Sequence, residues 1–285
     1  MKKELSLVVE KFASLFINVS DAELDRYWKW KDHDEEGIRF AFFVTLQELR
    51  QLAVTLSTLR PQPTPAQHIL SQYHAAYLDL QAAIHGLSTE DSDKTFAEGE
   101  WSPRRVYEHI LATDIGFTAV VRYALEGHRS SKWSRDPIPE ADEPRLSGIS
   151  GLSEAEYQTL VKSPLKNMQT YHRDFHPRII KEFSTITAEE LDLPSTFWEE
   201  TRFPIRHRLH RYEAHYVQHT IQMDKTLVAI GQARNETKRL IRKIYAALAE
   251  AEGMMIGAEK MDDTAIRVTA ASIQARTQEL AGLLS

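Results

Sequence analysis

Glycine and proline lie at the borders of long segments in which apolar residues recur every three or four positions. This arrangement constrains the fold more than any other feature of the chain. In residues 36–59 the repeat is carried by Phe40, Phe43, Leu46, Leu49 and Leu52. Such spacing gives a helix one apolar face. No segment alternates apolar and polar residues for long enough to indicate a strand. The sequence therefore predicts an all-α protein.

Two helix-start signals and a proline cluster divide the chain. Thr64-Pro65 and Ser102-Pro103 each combine an N-cap residue with proline at the first helical position. Four long helices are predicted in the centre, at about 64–85, 102–127, 154–183 and 204–230, the third of them bent or interrupted at Pro164 and Pro177. We expect a helical extension at 1–62, a four-helix bundle at 63–232 and a helical hairpin at 233–285. The hairpin would pack on the bundle or form a dimer interface.

The connection between the second and third central helices, about 128–151, is the longest and is rich in Ser, Pro, Asp and Gly. Short connections make neighbouring helices antiparallel, whereas a long one can return the chain in parallel. The loop lengths therefore predict the helix order up-down-down-up.

Composition excludes several functional classes. The net charge of -6 disfavours nucleic acid as the partner. No apolar run approaches the ~18 residues of a membrane span, and the charged, amphipathic start does not resemble a signal peptide, so a cytoplasmic location is expected. The chain has no cysteine, so a metal would be held by His, Asp or Glu, and thiol chemistry would need a thiol cofactor.

His215 and His219 lie four residues apart in the last central helix, and His109 follows the Ser102-Pro103 helix start. Residues four apart share one face of a helix, so two imidazoles can bind one ion and a third from another helix can complete the set. Arg208, Arg211, Tyr212 and Gln222 fall on the same stripe as the two histidines. A polar cavity in a bundle explains such a stripe better than a plain core.

Chance is the alternative explanation, because the chain has 12 histidines and a second pair with the same spacing, His172 and His176. His176 precedes Pro177, which disfavours helical geometry at that residue. We therefore predict that this second pair is exposed to solvent and is not a site. Glu108 and Asp114 point away from His109 on a helical projection and are also expected to be exposed.

The segment Trp101-Ser102-Pro103-Arg104-Arg105-Val106-Tyr107-Glu108-His109 resembles the W-S-x(6)-H motif of the DinB/YfiT-like superfamily. His215-Tyr216-Val217-Gln218-His219-Thr220-Ile221-Gln222 is similar to that family's H-x-x-x-H-x-x-Q motif. The resemblance implies an up-down-down-up four-helix bundle that binds a divalent metal, often nickel or zinc, through His109, His215 and His219. It also implies thiol-dependent chemistry, because family members include thiol-dependent transferases and an isomerase, in which the metal lowers the pKa of the thiol.

Two functions follow as alternatives. The first is a metal-dependent S-transferase or hydrolase with a small-molecule substrate, in which Arg208, Arg211 and Tyr212 bind a low-molecular-weight thiol or an anionic substrate. The second is a non-catalytic helical binding or assembly protein, a homodimer for example, with a structural or vestigial metal site. In that interpretation the arginines form ordinary surface ion pairs and Tyr212 caps the core.

Overall fold

The computed structural model describes residues 3–33, 36–130, 148–149, 151–195, 201–258, 261 and 263–284. The α-helices are α1 (Lys3–Leu15), α2 (Phe40–Leu59), α3 (Pro65–Ala83), α4 (Thr89–Asp93), α5 (Pro103–Arg129), α6 (Glu154–Val161), α7 (Leu165–Phe183), α8 (Ala188–Leu191), α9 (Ile205–Ala229), α10 (Glu236–Gly253) and α11 (Thr264–Leu284). Short 3-10 helices span Asp21–Asp25 and Gly37–Arg39. The strands β1 (Pro194–Ser195) and β2 (Phe203–Pro204) pair antiparallel. The all-α prediction is confirmed.

The predicted helix starts are confirmed by their capping hydrogen bonds. The Ser102 side chain accepts a hydrogen bond from the backbone N–H of Arg105 at 3.3 Å, and Pro103 occupies the first turn of α5. Thr64 Oγ1 accepts in the same way from the N–H of Gln67 at 3.3 Å. Each cap satisfies one of the N–H groups that a helix start leaves without a partner. Most of the predicted 128–151 connection, namely 131–147 and 150, lies outside the described residues.

The chain folds into two compact units. The central unit comprises Pro63–Tyr73 and Ser88–Ile230, and the terminal unit comprises Met1–Gln62, His74–Leu87 and Gly231–Ser285. The division falls inside α3, between Tyr73 and His74. The domain boundaries expected from the sequence stay a prediction.

In the central unit, side-chain pairs fix the direction of each helix. His109 lies against His219 while Thr118 lies against Tyr212, so α5 and α9 are antiparallel. Tyr107 bonds His172 while Arg122 bonds Glu182 further along both helices, so α5 and α7 are parallel.

The first bundle helix is placed in the same way. Gln67 bonds Ser184 and Tyr73 packs against His176, which makes α3 antiparallel to α7. The four helices α3, α5, α7 and α9 therefore run up-down-down-up, and the fold prediction is confirmed in its topology.

The two prolines that were predicted to bend or interrupt the third central helix have different outcomes. The break at Pro164 is confirmed, since α6 ends at Val161 and α7 begins at Leu165. Pro177, however, lies inside α7 and does not end it. An internal proline costs a helix about 3 kcal/mol. Burial of the apolar face of α7 offsets this cost; its members are Phe175, Ile179, Ile180 and Phe183.

In the terminal unit, helices from both ends of the chain pack together. Helix α2 packs against α10 and α11, and α1 packs against α11. Phe12, Phe16 and Phe42 form an aromatic cluster with ring centroids 4.4–5.3 Å apart. His74 and Glu252 form a buried pair at 2.9 Å. Within the described residues, none of the helices combines the length and the apolar character that crossing a membrane demands.

Candidate metal centre

The three predicted histidines meet between α5 and α9 in the central unit. His109, His215 and His219 each offer a ring nitrogen, and the three atoms lie within 4.8 Å of one another. The Nε2 atoms of His215 and His109 are 3.1 Å apart. The ring of His219 lies 4.5 Å from that of His109 and 4.3 Å from that of His215, measured between centroids. Two of the rings therefore come from one helix and the third from its antiparallel neighbour.

Local structure explains why these side chains converge. The cap at Ser102 starts α5 so that His109 falls two turns inside the helix. On α9 the four-residue spacing stacks His215 and His219 on one face. Helical side chains lean toward the N-terminus of their helix, so each ring lies over the turn that precedes its own residue.

The environment favours neutral imidazole, which is the form that binds metal ions. His215 is 6 % exposed and His219 is 8 % exposed, whereas His109 is partly open to solvent. Burial, followed by the charges of His219 and His109, lowers the pKa of His215 to about 3. Burial also lowers the pKa of His109.

Gln222 orients His219. The Nδ1 atom of His219 lies 2.8 Å from Oε1 of Gln222. An amide oxygen only accepts hydrogen bonds, so this contact puts the ring proton on Nδ1 and leaves the Nε2 lone pair free to face the other histidines. Partners of this kind fix the tautomer and the ring orientation of metal-binding histidines. The sequence pattern identified Gln222 only as a motif position, and the structure supplies its contact.

The geometry and the donor set fit a divalent ion. Two nitrogens bound to one metal at ~2.1 Å would lie about 3.0–3.4 Å apart, and the observed separation of the Nε2 atoms of His215 and His109 is 3.1 Å. Imidazole suits zinc, nickel and related ions. Within the described residues the group contains no carboxylate. Three protein ligands with a further open position are typical of catalytic sites, whereas structural zinc sites have four.

Aromatic rings flank the cluster on two sides. The Trp101 ring lies 5.2 Å from the His109 ring, and the Phe117 ring lies 6.2 Å from the His215 ring. The Arg105 guanidinium lies over Trp101 at 5.8 Å and is paired with Glu108. The partly open side of the site is thus bordered by an indole ring and an ion pair.

The structure distinguishes the three residues that the sequence suggested for cofactor binding. Arg208 is 1 % exposed, and its guanidinium bonds Ser195 Oγ at 3.2 Å and lies over the Phe203 ring at 5.3 Å. Tyr212 is also 1 % exposed, and its hydroxyl lies 2.9 Å from Thr118 Oγ1. Arg211 is half-buried. Of the three, Arg211 keeps a solvent-accessible portion.

The second histidine pair is buried, so the prediction that it is exposed to solvent is wrong. His172 and His176 are both 0 % exposed. The prediction failed because Pro177 does not end α7, and α7 turns this face toward polar groups of the other bundle helices.

Asp114 is also buried, at 1 % exposed, which corrects the expectation that it faces solvent. Its Oδ2 accepts hydrogen bonds from Tyr216 at 2.6 Å and from Tyr73 at 2.7 Å, and lies 3.1 Å from His172 Nε2. Tyr107 completes the set through His172 Nδ1 at 3.0 Å. We call these five residues the core carboxylate network; they come from all four bundle helices. Glu108 is partly buried and pairs with Arg105.

The central unit is thus a helical bundle with a three-histidine cluster between two of its helices. A family model described as the DinB superfamily matches residues 72–223, which is more than half of the chain. The chain belongs to this superfamily. No curated protein and no solved structure matches it.

Proposed function

We propose that this protein binds one divalent metal ion, nickel or zinc, through His109, His215 and His219, and that it is an enzyme transferring a small-molecule thiol to an electrophilic substrate. The observation that carries the proposal is the convergence of three ring nitrogens within 4.8 Å. Neutral imidazoles, a partly open edge at His109 and the absence of a carboxylate in the group, as far as the chain is described, all support it.

A bound ion would supply Lewis acidity, which lowers the pKa of a thiol or water at the open position. Residues of this chain would orient the metal-binding rings and border the site. Gln222 holds the ring of His219, and Trp101 borders the site beside His109. In S-transfer the thiolate sulfur forms a bond to the electrophilic carbon, the leaving group departs with the bonding electrons, and the thiol proton passes to solvent. Because the chain has no cysteine, the sulfur comes from a separate thiol.

Elemental analysis of purified protein tests metal binding. We expect about one ion per chain in the wild type and loss of the ion in His215→Ala and in His109→Ala. His109 is partly exposed, so its substitution disturbs packing least. The matched control is His210→Ala, which removes an exposed histidine from the same helix and should leave the metal content unchanged. Equal metal in the wild type and in both site variants would overturn the proposal.

The reaction is tested with the metal-loaded protein, an activated aryl halide and a panel of low-molecular-weight thiols, with an activated ester in a parallel assay. Thiol-dependent turnover that chelation removes and metal restores supports the transferase. Turnover of the ester without thiol-dependent turnover would show that the protein is a hydrolase and not a transferase. Metal binding with neither activity, together with a lower stability after chelation, would favour the non-catalytic alternative, in which the ion is structural.

A further inference from the structure

Arg211 lies one turn before His215 on α9, on the same stripe as the two histidines. Because the His215 side chain leans toward the N-terminus of α9, its ring lies over the turn that carries Arg211. Arg211 is half-buried as a residue, and within the described residues it has neither an ion pair nor a hydrogen bond. Its charge acts on His215, so a cation without a protein partner lies next to the histidine cluster and is available to an anionic ligand.

The charges that act on the histidine cluster leave a positive balance. Arg105 and Glu108 influence His109, and Arg211 influences His215. Arg105 and Glu108 pair with each other, so their charges largely cancel. Arg211 is left as the uncompensated group among them. A divalent ion at the histidines would add to this positive potential and would further favour an anion.

We propose that Arg211 binds a carboxylate of the small molecule that occupies the three-histidine site, so that the ligand taken there is an anion. The inference rests on the proposed function for the role of the histidines, and it adds the chemical class of the ligand. A guanidinium presents paired N–H donors that match the two oxygens of a carboxylate. Arg208 is not a candidate for binding this carboxylate, because its guanidinium is buried against Ser195 and Phe203.

Acetate is the probe, and acetamide is its uncharged counterpart. Full-length protein equilibrated with Zn²⁺ is titrated with each, and the ring signals of its histidines are followed by NMR, with bound zinc measured on the same samples. We expect acetate to shift the signals of His109 and His215 saturably, and to bind at least about tenfold more tightly than acetamide.

Arg211→Gln should weaken the binding of acetate about tenfold and leave the binding of acetamide unchanged. Arg211→Lys should retain part of the affinity for acetate. The control is Lys225→Gln, which changes the net charge equally at an exposed position of the same helix and should leave acetate binding unaltered. Acetate affinity in Arg211→Gln within twofold of the wild type would overturn the proposal. So would equal binding of acetate and acetamide. Absence of zinc would refute the proposed metal function, whereas Arg211-dependent acetate binding would still support the anion site.

Discussion

Removal of one hydroxyl, in Tyr216→Phe, is expected to destabilise the bundle from its interior. Tyr216 is fully buried, and its O–H donates to Asp114 Oδ2 at 2.6 Å. Burial, followed by the charge of Asp114, raises the pKa of Tyr216 well above its ordinary value of 10.0, so the phenol keeps its proton and remains a donor. Phenylalanine preserves the ring and its packing against Tyr73 at 5.5 Å. The hydroxyl also lies 2.7 Å from Nε2 of His172. The substitution therefore removes the polar contacts of the hydroxyl, of which the bond to the carboxylate is expected to be the strongest, and keeps the packing of the ring.

The size of the effect follows from the kind of bond that is lost. A hydrogen bond to a charged group contributes about 1.5–3 kcal/mol, and a buried acceptor that loses a donor is not rehydrated. Asp114 keeps Tyr73 and His172 as partners in the variant. We therefore expect a loss near the middle of that range, ~2 kcal/mol, which corresponds to an increase of about 30-fold in the opening equilibrium of the bundle helices.

Hydrogen exchange followed by mass spectrometry suits this measurement, because the chain has two compact units and a single unfolding curve would mix them. Protection should fall in peptides of α5 and α9 and remain unchanged in peptides of α10 and α11. Tyr157→Phe is the matched control, since Tyr157 is a partly exposed tyrosine of the central unit, and it should change stability by less than about 0.5 kcal/mol.

Two results would refute the reasoning about Tyr216. One is a loss of protection smaller than about threefold. The other comes from a double-mutant cycle with Asp114→Asn: if the two losses simply add, the hydroxyl and the carboxylate are not coupled.

Three further predictions concern other contacts. Gln222→Leu should weaken binding of a divalent metal at least about tenfold in a competition titration, because His219 loses its orienting acceptor; equal affinity would contradict this role. Burial lowers the pKa of His85 below its ordinary value of 6.5, so the unfolded chain takes up the proton first and stability should decline as pH falls below that value. His85 lies in the terminal unit, so His85→Gln should reduce this slope down to about pH 5 in hydrogen-exchange protection of peptides from that unit, corrected for the intrinsic exchange rate at each pH, and parallel slopes would disprove it. Ser102→Ala should cost ~1 kcal/mol and speed exchange in the first turn of α5, whereas Ser102→Asp should restore protection; an unchanged rate in the alanine variant would exclude the capping role.

The features that the sequence predicted well are local ones. Ser102-Pro103 defines a helix start through atoms only three residues apart, and the spacing of His215 and His219 determines a shared face whatever surrounds it. The up-down-down-up order also followed, because loop length limits which ends of neighbouring helices can meet.

The core carboxylate network was missed for the opposite reason. At Oδ2 the burial of Asp114 is offset by Tyr73, Tyr216 and His172, which lie on three other helices. A helical projection of α5 alone shows Asp114 as a charged residue on a face away from His109, and it therefore predicts that this side chain is exposed to solvent. Complementary donors far apart in sequence reverse that expectation, because a buried carboxylate is tolerated where hydrogen bonds replace its hydration.

Burial therefore does not distinguish His172 from the histidines of the candidate site, but the partners of its ring nitrogens do. His172 lies among phenols and a carboxylate, so both of its ring nitrogens are used within the protein. In the three-histidine cluster, the Nε2 atoms of His109 and His215 face each other. The contact of His219 Nδ1 with Gln222 leaves the Nε2 atom of His219 free to face these two atoms. A shared proton can join only two of three converging lone pairs, whereas a cation accepts all three. That difference in donors and acceptors, rather than the spacing that both pairs share, identifies His109, His215 and His219 as the candidate site.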